Sequence, residues 1–485
     1  MSIRFSSLTK KHFRNLNKMT KQYLIAFLLI ASCTVFLFIP SISSAQNLII
    51  RGGWIVHPES AEVIPNPDIL IQNGDIAAIQ RTTFDDDAKI LALDPNDHIL
   101  PGLIDLHAHL KMEYRGITRD DTTATPKMLL ANGVTTIFTA GDVEPEKVLQ
   151  FKKNVNAGNS YGPRILNSGP YFGRANPDWN PEYTRGDIYR IVDEWAERGV
   201  GGFKAKTISP VNLKHLIDRA HHHNITVTAH LNSGWNNTVR SDEAISMGID
   251  RVEHFLGGSA LPDSVHAYDG LEQLDPDDPE FDKIIDIFIE NDVFFSATMG
   301  TFGAWSGSSD PAFEKWVDET VYLTPFTKQL FEKFEEPDTE GTIAAVYGIK
   351  KELIKDYYDR GGMIVLATDR PLYLDSSLGP HFNGFFVHRE MEILADAGIP
   401  NADVLTIATL NGARAMGLDH QIGSIEPGKI AYLMIIDGNP IEDIRRTRTV
   451  HTVIKEGNIF NSGYLLNLAE GKLGPQSDEK WMEDK

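Results

Sequence analysis

Between Ile99 and Leu110 the chain reads ILPGLIDLHAHL, an apolar run that ends in two histidines one residue apart, His107 and His109. On a strand, side chains at i and i+2 share a face, so both imidazoles would be presented to one point, as a pair of metal ligands requires. An isolated His-x-His is more often two ordinary histidines at a strand end. Four further residues with ligand chemistry, Lys204, His230, His254 and Asp369, each close a β-rich run downstream. Singly they are weak signals: His230 in VTAHL and His254 in VEHFL read equally as core histidines, and Asp369 in LATDRP as a helix N-cap. Jointly, in order at successive strand ends, they point to a metal centre.

The elements that must carry them alternate. Strand ends are expected at Ile104 to His107, Val134 to Thr139, Arg164 to Ser168, Gly202 to Lys206, Thr226 to His230, Arg251 to His254, Phe294 to Thr298 and Ile364 to Asp369. Amphipathic helices fall between them, among them Asp187 to Arg198, Val211 to His223, Pro279 to Glu290 and Gly341 to Arg360. This order predicts an α/β fold with a parallel sheet, and eight strands suggest a closed (β/α)8 TIM barrel over about residues 101–420. In such a barrel the C-terminal strand ends converge, which gives the scattered ligands a common location. Two connections, 255–293 and 300–362, are too long for a bare barrel. The second holds Phe302, Trp305, Trp316, Tyr322, Phe326, Phe331 and Phe334. These aromatics pack a local helical subdomain, or form a lid that lines an apolar substrate pocket, or both.

Flanking segments read as short strands with turns. Residues 46–100, with Asn73-Gly74 as a hairpin turn, and 421–485 are each too small for a core, so they are expected to meet in one composite β-sandwich. The polar tail after Leu468 is expected to be loose. Residues 1–45 read as a signal peptide. A basic stretch from Arg4 to Lys21 precedes an apolar run from Tyr23 to Ile39, and Ser43-Ser44-Ala45 offers a cleavage site. An exported, periplasmic or extracellular protein is the expectation. Met19 would start a leader of more usual length. Cys33, the single cysteine, sits in an approximate lipobox, so membrane attachment is expected only if it is lipidated, and disulfides are excluded from the mature chain. The net charge of −21 argues against a nucleic-acid partner. A small-molecule substrate fits, and homo-oligomerisation is left open.

The motifs LPGLIDLHAH (100–109), GVGGFK (199–204), VTAHLNS (227–233), GIDRVEH (248–254), VLATD (365–369) and ATLNGARAMGLDHQIGSIEPGKIA (408–431) resemble those of the amidohydrolase superfamily, in its imidazolonepropionase-like and prolidase-like branch. The resemblance implies that His107, His109 and Asp369 hold one metal, that a carboxylated Lys204 bridges to a second, and that His230 and His254 hold that second metal. Where relatives read GKxADLVVLD, this chain has Gly428-Lys429-Ile430-Ala431-Tyr432, a departure in the small β-domain. Lys206 shares a strand face with Lys204 and leaves two candidates for the bridge; spacing favours Lys204.

That ligand set implies a mechanism. Divalent cations acidify a shared water into a hydroxide nucleophile and polarise the scissile carbonyl. Asp369 can take the water proton and return it to the leaving amine. Zinc is the first choice, with manganese, cobalt or iron compatible. Hydrolysis of a C–N amide bond in a dipeptide, an N-acyl amino acid or a cyclic amide is the leading expectation. A mononuclear deaminase or cyclic-amidine hydrolase is the alternative, and Lys204 counts against it. A non-catalytic binding protein would be expected to have lost a ligand. His221, His222 and His223 read as surface residues, His388 as a supporting residue behind the metal ligands. Arg370 could pair a substrate carboxylate or tie its loop to an acidic neighbour.

Overall fold

In the computed structural model, which describes residues 47–84, 87–254, 256, 260–270, 275–333, 342–374 and 381–483, the apolar runs become eight short parallel strands. They are β1 (Leu103–Asp105), β2 (Val134–Phe138), β3 (Arg164–Leu166), β4 (Phe203–Lys206), β5 (Val227–His230), β6 (Arg251–Glu253), β7 (Phe294–Ser296) and β8 (Ile364–Val365). They pair in the orders β3-β2-β1 and β4-β5-β6-β7-β8. Backbone hydrogen bonds also cross both gaps: Leu106 N to Leu366 O at 2.9 Å, and Phe172 N to Lys204 O at 2.9 Å. Helices Pro145–Asn156, Arg185–Glu197, Pro210–His222, Pro279–Glu290 and Thr342–Asp359 lie between strands. Their starts are written locally. Thr184 and Asp187 close a capping box, and Ser209 caps a helix that begins with Pro210. The helix Arg185–Glu197 buries Ile188, Val192 and Trp195 on one face, at the spacing an amphipathic helix needs.

The terminal segments form two further sheets. One has four strands in the order Asp75–Gln80, Asp68–Gln72, Leu48–Arg51, Lys89–Ala92. The other has six, in the order Asn458–Asn461, Val450–Lys455, Tyr432–Asp437, Asp97–Pro101, Trp54–His57, Glu62–Pro65. Ile50 and Ile69 of the first pack in one cluster with Ile55, Ile99, Leu433 and Ile435 of the second. Asn73-Gly74 makes the expected hairpin, with φ of 53° and 93°. A third sheet is absent from the sequence expectations: a hairpin of Lys111–Tyr114 and Ile117–Asp120, paired in parallel with Leu372–Tyr373. It begins two residues after His109 and fixes Lys111 beside the strand ends.

The tail is not loose. Helix Ser462–Ala469 is followed by Leu473, whose N–H donates to Tyr322 O at 2.8 Å. Trp481 is buried, and its indole N–H donates to Tyr114 O at 3.0 Å. A polar average concealed two apolar anchors. Most aromatics of the 300–362 insertion pack against segments outside it and not in a local subdomain. Tyr322 stacks on Phe385 at 5.5 Å, while Phe326 and Phe331 meet Tyr114 and Phe382 edge-on. Trp316 lies between the guanidinium groups of Arg389 and Arg448, each 3.9 Å from its ring. Trp305 lines a cavity described below. Phe334 and residues 1–45, the expected leader, lie outside the described residues, among which no helix is long and apolar enough to cross a membrane.

His388 does not back the metal ligands. Its Nδ1 pairs with Thr447 Oγ1 at 3.2 Å, in the 3-10 turn Ile444–Thr449. Burial, with Arg448 and Arg389 nearby, pushes its pKa down to about 3. The folded chain therefore holds a neutral imidazole, so this stability is complete above about 6.5 and is lost as pH falls from there toward about 3. His388 alone should contribute a slope of up to about 1.4 kcal/mol per pH unit in that window. Urea titrations at pH 7 and pH 5 should show a shallower loss for His388→Gln than for the wild type; equal losses would show that the acid sensitivity lies elsewhere.

Candidate metal centre

His107 and His109 lie just past β1 rather than on it, because the strand ends at Asp105. The ladder continues irregularly, with Ala108 N donating to Phe138 O at 3.0 Å, and the i, i+2 relation survives. The two Nε2 atoms are 3.2 Å apart, and Asp369 Oδ1 lies 3.3 Å from that of His107 and 3.0 Å from that of His109. His254 joins them, with Nδ1 3.6 Å from Asp369 Oδ2; ligand atoms of His107, His254 and Asp369 lie within 4.8 Å of one another. The His230 ring sits 4.4 Å from that of His254. Lys204 is buried against the carboxylate of Glu253. Thus the structure brings all six ligand-type residues to one end of the strands.

Strained backbone aims several of them. His254 and Asp369 have φ of 69° and 45°, the left-handed region that side chains other than glycine avoid. On β6, Arg251 and Glu253 share the inner face, and alternation would turn His254 outward; the positive φ turns it back in. Distant contacts hold the turns. Asp105 accepts from His107 N at 3.0 Å and from Thr368 Oγ1 at 2.6 Å, Asn383 Nδ2 donates to His109 O at 2.5 Å, and Thr301 Oγ1 donates to Asp369 O at 2.6 Å. Behind the site, Lys350 Nζ donates to Ala297 O at 2.6 Å and to His254 O.

Glu253 is the functional candidate that the sequence reading missed. Fully buried, it contacts Lys204, accepts from Thr228 Oγ1 at 3.0 Å, and places Oε1 3.4 Å from His107 Nδ1. The signal was available: inward alternation from Arg251 predicts it. Arg370, by contrast, is tied into its loop, with Nε donating to His381 O at 2.8 Å. His221 and His223 pair with Asp250 and Asp193.

Electrostatics suit a cation. Burial, reinforced by Lys204, drives the His107 pKa well below its ordinary value; burial likewise lowers His109, and drives His230 and His254 well below. Burial works against charge on Asp369 too, but His107, His109 and His254 outweigh it and hold the carboxylate well below its usual range. Imidazoles that burial keeps neutral, beside an ionised carboxylate, are the donor set a divalent cation takes. His107 Nδ1 and His109 Nδ1 make no hydrogen bond among the described residues despite burial, while their Nε2 atoms meet at Asp369, as two ligands of one cation would. The residues fit one metal ion at the least. Beside them opens a cavity of about 280 Å³ lined by Lys206, Thr207, His230, Asn232, His266 and Trp305. Burial lowers the Lys204 pKa far below that of an ordinary amine, helped by Lys206, and lowers Lys206 as well.

Comparisons with known proteins agree with this geometry. An imidazolonepropionase of Picrophilus torridus is 22% identical over 418 residues, 79% of this chain and 88% of the relative. The solved structure of a Xaa-Pro dipeptidase with bound methionine superposes with a TM-score of 0.64 at 20% identity, covering 86% of this chain and 100% of that one. Molinate hydrolase gives 0.66 at 16% identity, covering 90% and 99%. At such identities the structural likeness speaks to the fold, a TIM-barrel-type α/β architecture. The model of the amidohydrolase family matches residues 98–270 and 344–460, two blocks that between them carry His107, His109, Lys204, His230, His254 and Asp369. By that match, over more than half its length, this chain belongs to the amidohydrolase family.

Proposed function

We propose that this protein is a metal-dependent hydrolase that cleaves the amide C–N bond of a dipeptide, an N-acyl amino acid or a cyclic amide. Members of the family are hydrolases acting on C–N bonds. The observation that carries the reading here is the convergence of His107 Nε2, His109 Nε2 and Asp369 Oδ1 within 3.3 Å of one another. A bound divalent cation, zinc as first choice, supplies Lewis acidity toward the carbonyl and acidifies water. The chain's own residues do the rest. Asp369, kept ionised, accepts the proton from water and returns it to the departing nitrogen. Asp105, Thr368 and Thr301 keep the backbone of His107 and Asp369 from drifting, which preserves the attack geometry.

The same reading takes the eight strands as a closed (β/α)8 barrel, supported by backbone bonds across both gaps, and the two terminal sheets as one β-sandwich, supported by their common cluster. A second reading, a mononuclear deaminase or cyclic-amidine hydrolase, draws support from Lys204 being engaged by Glu253. Metal-loaded protein should release amine from at least one member of a panel of dipeptides, N-acyl amino acids and lactams, with close to two equivalents of metal for the binuclear form. Ammonia release from heterocyclic amidines, with one equivalent and no turnover of the amides, would favour the second reading instead.

A further inference from the structure

We infer that Lys206 recognises a carboxylate on the substrate, so that the site selects N-acyl amino acids or dipeptides over neutral amides and lactams. The inference rests on the hydrolase reading above and deepens it. Lys206 lies on β4, two residues beyond Lys204 and therefore on the same face, one pleat nearer the mouth. It is half-buried and lines the cavity that His230 also lines, so an occupant touching its ammonium lies beside a ligand histidine.

What singles it out is its lack of a partner. Lys204 is engaged by Glu253, Lys350 by the carbonyls of His254 and Ala297, and Lys111 by Glu113 at 2.9 Å. Among the described residues no carboxylate lies within ion-pair distance of Lys206 Nζ, and no side-chain hydrogen bond reaches it. The lining of this cavity contains no carboxylate either; its other members are Thr207, His230, Asn232, His266 and Trp305. A half-buried ammonium is costly unless an anion answers it, and among the described residues no carboxylate pairs with this one. The occupant is the remaining source. Trp305, from the insertion after β7, gives the same cavity an apolar wall, so the class that fits is a carboxylate flanked by an apolar side chain.

The test compares N-acetyl-L-phenylalanine with N-acetyl-L-phenylalaninamide on metal-loaded full-length enzyme, wild type and Lys206→Met, together with calorimetric binding of phenylacetate. The wild type should prefer the acid by about ten- to hundredfold in kcat/KM, the contribution of a hydrogen bond to a charged group. The preference should reside in KM. Lys206→Met should abolish the preference and weaken phenylacetate by a similar factor, and Lys206→Arg should retain part of both. An undiminished preference in Lys206→Met, or equal phenylacetate binding, overturns the inference. Phenylacetate binding that depends on Lys206 without turnover of any amide would instead sink the hydrolase reading and leave the recognition role standing.

Discussion

His107→Asn should lose bound metal and turnover together. His107 is the hub of the site: its Nε2 is within 3.3 Å of both His109 Nε2 and Asp369 Oδ1, and its ring centroid is 5.0 Å from that of His254. Asparagine keeps a polar side chain but brings no imidazole lone pair to that point, so the donor set shrinks where its members are closest. Disturbing residues that merely orient ligands costs about 10- to 100-fold in affinity or activity. Loss of a central ligand should exceed that, leaving kcat/KM down by more than about hundredfold. Metal analysis of purified protein, with thermal melting to show that the variant folds, is the measurement. His222→Asn, on the exposed end of helix Pro210–His222, should leave both metal and rate unchanged. Full activity in protein stripped of metal by a chelator would refute the metal mechanism.

The residues gathered at the strand ends were legible because ligand chemistry in a buried strand has few other uses, and because the alternation of strands and helices says where their ends meet. Boundaries lie within a few residues of expectation: helix Pro279–Glu290 coincides with it, while β8 ends at Val365, four residues before Asp369. What the sequence hid is set by contacts between distant segments. No local propensity announces the positive φ that turns His254 inward, and nothing near Asn383 in sequence says that it will hold the carbonyl of His109. The anchoring of the tail depends on Trp481 meeting Tyr114, more than 300 residues earlier in the chain. Glu253 is a different case. It stands next to a more conspicuous histidine, and only strict attention to alternation along Arg251–Glu253 would have found it.

Glu253 also sharpens the question of which lysine matters to the metal. Lys204 and Glu253 are both buried and in contact, whereas Lys206 faces the cavity. Removing one member of a buried ion pair strands the other charge, at a cost of about 3–5 kcal/mol. Lys204→Ala is therefore expected to lower the stability of metal-free protein by about that much, and Lys206→Ala by far less, since its ammonium has no such partner to abandon. Replacing both members, Lys204→Met with Glu253→Met, should recover most of the loss, because a well-packed apolar pair avoids the desolvation of two ions. A coupling energy near zero in that double-mutant cycle would mean that the pair does not act as a unit. Metal content separates the remaining possibilities. A lysine that bridges two cations as a carbamate must first be a neutral amine, and burial drives the Lys204 pKa far down in that direction. Without the bridge the two cations lose a shared anion and repel across a short gap, so Lys204→Ala should drop from two equivalents of metal to one or fewer, with activity partly restored by added short-chain carboxylates. If Lys206→Ala alone loses metal and is rescued, the bridging position is one pleat nearer the mouth. If neither variant loses metal, the site holds a single cation, and the pairing of Lys204 with Glu253 is its resting arrangement in the working enzyme as well.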